Sequence, residues 1–203
     1  MPSYRPAPRP AVFMDRDGCL TEEVGYVNHP SRLRLLPRTA EAIARLNRAG
    51  VPAVMVTNQA GIARGYFSEE TLQATHARLH EALAAAGARL DGAYTCTHHP
   101  SEGQPPYRAD CDCRKPRPGL LRRAETELGV DLRRSWMVGD RRNDLEVAWN
   151  AGARAALVRS GYGLGELTYH APAWPRQPDL SADHLLEAVQ KIVAASAGEG
   201  VRA

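Results

Sequence analysis

The sequence predicts an α/β fold, a three-layer α/β/α sandwich built on a central parallel sheet. Three observations carry that expectation. Short apolar runs recur at 11–14, 51–56, 93–96, 136–138 and 155–158, amphipathic segments separate them, and polar residues suited to chemistry follow their ends. Buried parallel strands read as continuous apolar runs, and active residues in such sheets gather at the strands' carboxyl ends. Residues 38–49 place Ile43 and Leu46 on one helical face and stop at Gly50, while 68–86 carry Leu72, Leu79 and Leu83 and stop at Gly87. Pro118 opens a third helix that runs to Leu128 before Gly129, and 141–150 form a fourth before Gly152. Beyond the fifth run, Pro172, Pro175 and Pro178 mark an irregular link ahead of a last helix through Leu185, Leu186, Val189 and Ile192.

At 203 residues the chain is long enough for one ordinary domain, which buries roughly 70% of its unfolded surface without disulfides. Residues 11–203 are read as that domain, 1–10 as a flexible lead-in rich in Pro and Arg, and 164–203 as a C-terminal extension. The formal net charge of +3 comes mainly from scattered arginines, which permits an anionic substrate without arguing for nucleic acid. No run approaches the ~20 apolar residues of a membrane span, and the N-terminus lacks an apolar signal core. A cytoplasmic, monomeric protein that engages neither membrane nor nucleic acid is expected.

Asp15-Arg16-Asp17-Gly18 follows the first apolar run. Carboxylates two positions apart on extended chain leave from the same side, so Asp15 can attack phosphorus while Asp17 protonates the leaving oxygen. Alone, such a quartet is also an ordinary strand-to-loop turn, so partners must decide. Thr57-Asn58-Gln59 follows the second run, with a hydroxyl and amides that hold phosphate oxygens without adding charge. In Cys113-Arg114-Lys115-Pro116, Lys115 supplies a fixed cation against the repulsion between a phosphoryl group and the Asp15 nucleophile. Gly139-Asp140 ends the fourth run, with Asp144 close behind. A third carboxylate beside the first two makes the oxygen-rich site that Mg²⁺ prefers.

This ordered set resembles the haloacid dehalogenase superfamily of phosphotransferases. One position departs from its pattern: Cys19 stands where the superfamily usually has Thr or Val, and its small side chain is read as packing. About 40 residues separate Asp15 from Thr57 and fewer than about 60 separate Thr57 from Lys115, too few for a sizeable lid domain besides the strands and helices. An open site without a large cap is expected, one that needs a local device to discriminate among substrates.

Cys96-Thr97-His98, followed after twelve residues by Cys111-Asp112-Cys113, offers that device. Three thiols and an imidazole make a closed, structural Zn²⁺ site. A disulfide competes, but a Cys-x-Cys pair is poorly placed to cross-link and His98 would go unexplained. His98 is preferred to His99, because Cys-x-His spacing lets both ligands leave one strand end on the same side. Zinc would pin the loop 96–113 and orient Arg114 and Lys115 behind it.

With this loop the resemblance narrows to the heptose bisphosphate phosphatase family. It spans about residues 11–163 and rests on Asp15-Arg16-Asp17-Gly18, Gly25-Tyr26-Val27, Thr57-Asn58-Gln59, Gly61-Ile62-Ala63-Arg64-Gly65, Cys96-Thr97-His98-His99-Pro100 and Cys111-Asp112-Cys113-Arg114-Lys115-Pro116. The resemblance implies Mg²⁺-dependent removal of the 7-phosphate from D-glycero-D-manno-heptose 1,7-bisphosphate through an aspartyl-phosphate, toward nucleotide-activated heptose. It implies Asp15 as nucleophile, Asp17 as acid and then base, and Mg²⁺ on Asp15, the Asp17 carbonyl and Asp140, with Asp144 in support. Thr57, Asn58 and Lys115 would steady the phosphoryl group, with Gln59 among the substrate-binding residues. Arg114, a fork-shaped cation, suits the distal phosphate, and Glu23, Gly25, Tyr26, Arg64 and Arg141 complete the substrate-binding set. Tyr4, Trp149 and Trp174 are read as packing residues.

Histidinol-phosphate phosphatases share the capless fold and the zinc loop and form the alternative, with a broader sugar phosphatase behind them. Arg114 discriminates, since a distal phosphate rewards that cation whereas the ammonium of histidinol phosphate is repelled by it. A zinc-loop nucleic-acid-binding protein is the non-enzyme alternative. The intact carboxylates and Lys115 oppose it, as does the lack of basic residues interleaved with aromatics.

Overall fold

The computed structural model describes residues 8–199, whose six strands form one fully parallel sheet. Strands β1 (Val12–Met14), β2 (Ala53–Asn58), β3 (Gly92–Cys96), β4 (Trp136–Gly139), β5 (Arg154–Val158) and β6 (Leu180–Ala182) lie in the order β3-β2-β1-β4-β5-β6. The chain winds outward from β1 to β3, returns to set β4 on the other side of β1, and winds outward again to β6. Met14 pairs with Met55 on one side and with Val138 on the other. Asp15, Thr57 and Asp140 therefore emerge along one edge of the sheet, where the direction of winding reverses and a crevice opens between β1 and β4.

Side chains alternate between the sheet's faces and divide the core in two. Val12, Met14, Met55 and Val138 join one half, and Phe13, Val54, Val56 and Met137 join the other. Helices α1 (Thr39–Arg48), α2 (Glu69–Ala85) and α5 (Leu185–Glu199) cover the first half with Ile43, Leu46, Leu79, Leu83, Leu186 and Val189. Helices α3 (Gly119–Leu128) and α4 (Arg142–Ala151) cover the second with Leu121, Leu145 and Ala148. Both stop where glycine takes the left-handed conformation, at Gly129 (φ 62°) and Gly152 (φ 83°). No cap domain is inserted: between β1 and α1 stands a single 3-10 turn, Pro30–Arg32, and β2 passes to α2 through the turn 59–68.

The sheet holds one strand more than the five predicted. β6 has only three residues and sits just beyond the proline-rich link, so it offers too little pattern to read. Asp179 fixes its approach by accepting from the Ala155 N–H at 2.8 Å. The C-terminal segment is thereby built into the core, with Ala182, Leu185, Leu186 and Val189 buried and α5 packed on α1. The lead-in is also tied down from Arg9, which bridges to Val130 and donates to the Gly50 carbonyl at 3.3 Å. Tyr4 lies outside the described residues. Trp174 is buried in the second core half and Trp149 packs against it. No helix among the described residues is long and apolar enough to cross a membrane.

Candidate active site

Lys115 is the electrostatic centre of the crevice. Its Nζ lies 2.9 Å from Asp15 Oδ1 and 2.6 Å from Asp144 Oδ1, and donates to the Val56 carbonyl at 3.0 Å. Burial disfavours an ammonium, but Asp144 and Asp15 outweigh it and hold the Lys115 pKa well above the ordinary value. Asp15 is pushed up to about 6, because burial and the neighbouring Asp144 and Asp17 together exceed the attraction of Lys115. Burial foremost, with Asp144 beside it, pushes Asp140 up to about 8.

Asp140 is enclosed by two turns. Its Oδ2 accepts from the Tyr162 N–H at 2.8 Å, while its Oδ1 is buried without any partner. Gly18 (φ 80°) and Gly161 (φ 57°) approach so closely that a Cβ on either would strike the carboxylate. Ser160 Oγ donates to the Gly18 carbonyl at 2.7 Å and fastens the turns together. Carboxylate oxygens of Asp15, Asp140 and Asp144 lie within 4.8 Å of one another. An orphaned buried oxygen among three carboxylates is a donor set that fits a hard divalent cation such as Mg²⁺. Asp144 has a second duty beyond the supporting role expected of it, since it neutralises Lys115 and its Oδ2 accepts from the Arg141 N–H at 3.1 Å.

Asp17 is held by a network that sequence reasoning missed. Arg16 is 1% exposed and grips the Asp17 carboxylate with Nε at 3.1 Å and Nη2 at 2.9 Å. Its Nη2 also donates to Gln59 Oε1 at 2.9 Å, and its Nη1 lies 3.3 Å from His76 Nε2 on α2. Gln59 Nε2 donates to Asp17 at 2.8 Å and to the Thr57 hydroxyl at 2.9 Å. Gln59 is buried, its main-chain N–H is taken by the Cys96 carbonyl at 2.7 Å, and its side chain donates to Asp17. Asn58 lines the cavity, and its side chain clamps the main chain of Lys115, donating to the carbonyl and accepting from the N–H, each at 3.1 Å.

Above these groups opens a cavity of about 210 Å³ lined by Asp15, Asp17, Glu23, Gly25, Tyr26, Thr57, Arg64, Arg114, Lys115 and Arg141. Asn143 lines it too, without a signal in the sequence. Arg141 stacks 3.7 Å over the Tyr162 ring and reaches Glu23 at 3.4 Å, while Glu23 also accepts from the Gly25 N–H at 2.6 Å. Tyr26 meets Tyr66 edge to face at 4.7 Å. Arg114 Nη1 donates to the His98 carbonyl at 3.2 Å. Cys19 is buried in the first core half, its Sγ 3.6 Å from the Val138 carbonyl, as a packing residue.

Cys96, His98, Cys111 and Cys113 converge beside this cavity. Cys113 Sγ lies 3.1 Å from the sulfurs of Cys96 and Cys111 and 3.4 Å from His98 Nδ1. All four cysteines of the chain are free thiols. A thiolate-rich set of four converging ligands fits tetrahedral Zn²⁺. His99 points away from it, toward Arg64.

A family model described as HAD-hydrolase-like matches residues 112–188. The D-glycero-D-manno-heptose-1,7-bisphosphate 7-phosphatase of Thermosynechococcus vestitus is 43% identical over 91% of this chain and 96% of its own. The D-glycero-beta-D-manno-heptose-1,7-bisphosphate 7-phosphatase of Photorhabdus laumondii is 42% identical over 75% of this chain and 81% of its own. Among solved structures, D,D-heptose 1,7-bisphosphate phosphatase from B. bronchiseptica, complexed with magnesium and phosphate, superposes with a TM-score of 0.82 at 33% identity, covering 92% of this chain and 99% of the other.

Proposed function

Because the chain belongs to the D-glycero-D-manno-heptose-1,7-bisphosphate 7-phosphatase family of the haloacid dehalogenase superfamily, and so is a phosphoric monoester hydrolase, we propose that it removes the 7-phosphate of that heptose bisphosphate. The observation that carries this reading is the pairing of Asp15 with Lys115 beneath a cavity rimmed by Arg64, Arg114 and Arg141. One phosphate meets the nucleophile and the other meets guanidinium groups that a monophosphate leaves unused.

In the first step an Asp15 oxygen forms a bond to phosphorus as the bond to the sugar oxygen breaks, and Asp17 delivers a proton to that leaving oxygen. Asp17, now ionised, takes a proton from water, whose oxygen displaces Asp15 and releases inorganic phosphate. Gln59 and Arg16 keep the Asp17 carboxylate facing the reacting group in both steps. Lys115 and the Thr57 hydroxyl steady the phosphoryl oxygens. Asp15, the Asp17 carbonyl and Asp140 would hold Mg²⁺, with Asp144 in support, and that ion supplies positive charge against the phosphoryl oxygens. Cys96, His98, Cys111 and Cys113 would hold Zn²⁺ as a structural ion.

The product keeps its anomeric phosphate, the group a nucleotidyl transfer requires, which suits a cytoplasmic step toward nucleotide-activated heptose. The protein acts as a monomer on a small phosphorylated sugar. Phosphorus NMR of the reaction tests the regiochemistry: the 7-phosphate resonance disappears while the anomeric one persists. Loss of the anomeric resonance first would contradict the reading. Histidinol phosphate stays the second substrate to try, because the acidic Glu23 at the cavity wall could meet its ammonium.

A further inference from the structure

Arg64 belongs to the turn after β2, yet the segment that surrounds it comes from the Cys/His loop. Gly103 (φ 81°) lies so tightly on the Ala63 carbonyl that a Cβ there would collide with it. Tyr107 packs against the small cluster of Ile62, Phe67 and Leu72 that flanks the turn. His99 Nε2 lies 2.9 Å from Arg64 Nη2, and Glu102 Oε1 lies 3.7 Å from Arg64 Nη1. The other ring nitrogen, Nδ1, faces the N–H groups of Ser101 at 3.2 Å and Glu102 at 2.9 Å.

An imidazole offers at most one acceptor nitrogen, and here N–H donors approach both. With Nδ1 accepting from the Ser101 and Glu102 N–H groups, the ring packs against the Arg64 guanidinium without accepting from it, and Glu102 at 3.7 Å is beyond hydrogen-bond reach, so the guanidinium is placed but short of a close acceptor. A phosphate oxygen supplies the acceptor it lacks. We propose that His99 is a positioning residue that holds Arg64 ready for the second phosphate of the substrate, so that residues 99–107 discriminate between bisphosphates and monophosphates. This rests on reading Arg64 as a phosphate contact.

The test is a cycle of His99→Asn, Arg64→Ala and the double variant, assayed on D-glycero-D-manno-heptose 1,7-bisphosphate and on p-nitrophenyl phosphate. Asparagine can still accept from the Ser101 and Glu102 N–H groups, so the turn survives while contact with Arg64 is lost. Each single variant should raise KM for the bisphosphate about tenfold with kcat unchanged, and the double variant should add nothing further. In His99→Asn, activity on p-nitrophenyl phosphate and the melting temperature should match the parent. A raised KM in Arg64→Ala but not in His99→Asn would overturn the role of His99 alone. An unchanged KM in Arg64→Ala would overturn the underlying reading of Arg64. A fall in kcat on both substrates, or a lowered melting temperature, in His99→Asn would make the residue a structural one and overturn the proposal.

Discussion

Lys115 Nζ stands 2.9 Å from Asp15 Oδ1, with only 2% and 14% of the two side chains exposed. This pair places a cation where a phosphoryl group must approach a carboxylate, and Asp144 behind it keeps the cation charged. Lys115→Ala should slow phosphate release by about 10³-fold. It should also destabilise the fold by about 3 kcal/mol or more, since Asp144 is left buried and unpaired. Steady-state rates and denaturant melts check both effects, and Lys115→Ala with near-parental activity would remove the residue from the chemistry.

Burial of the carboxylates makes metal binding depend on pH. Asp15 and Asp140, raised to about 6 and about 8, keep protons in the metal-free fold that the unfolded chain has already lost. Their contribution to stability is therefore full below about pH 4, the ordinary carboxylate range, and is lost as pH rises toward 8. Mg²⁺ should bind more tightly across the same window and expel protons as it does so. Calorimetric titration at pH 6.5 in two buffers of different ionisation enthalpy should show that release. Identical heats in both buffers would contradict it.

Arg16 makes a separate prediction. Arg16→Met removes both grips on Asp17 and leaves its carboxylate to Gln59 and Thr21. kcat should fall by 10² or more as an order of magnitude, with KM little changed, because the loss falls on proton transfer rather than on binding. A raised KM at constant kcat would show that Arg16 serves binding instead.

The four-ligand cluster predicts one zinc per chain. Cys113 stands nearest to the other three ligands, so Cys113→Ser should empty the site and raise KM through the freed Arg114 and Arg64. Cys19→Ser, remote from the cluster, should keep its zinc. Metal analysis of the purified variants decides between them, and full zinc occupancy in Cys113→Ser would refute the assignment.

Much of this was legible because parallel strands advertise themselves. Runs such as 51–56 are apolar on both faces, and the residues that follow them, Asp15, Thr57 and Asp140, meet at one sheet edge by topology alone. β6 was illegible because three residues carry no period, and an edge strand borrows its place from β5. Arg16 reads as a solvated charge between two aspartates. Only the tertiary fold brings Gln59 and His76 to it and makes its burial tolerable. Asn58 and Gln59 read as phosphate contacts from their chemistry, but the same amide groups suit internal clamps. Which use prevails depends on partners 57 residues away in Lys115 and 42 away in Asp17.

The decisive measurement is kcat/KM for Mg²⁺-dependent phosphate release from both anomers of D-glycero-D-manno-heptose 1,7-bisphosphate and from histidinol phosphate. A bisphosphate anomer should lead histidinol phosphate by at least about a hundredfold, or about 2.7 kcal/mol at the transition state, and Arg114→Ala should erase most of that margin. Equal rates on the two substrate classes, or a preference for histidinol phosphate, would contradict the assignment and leave the arginine rim without its purpose.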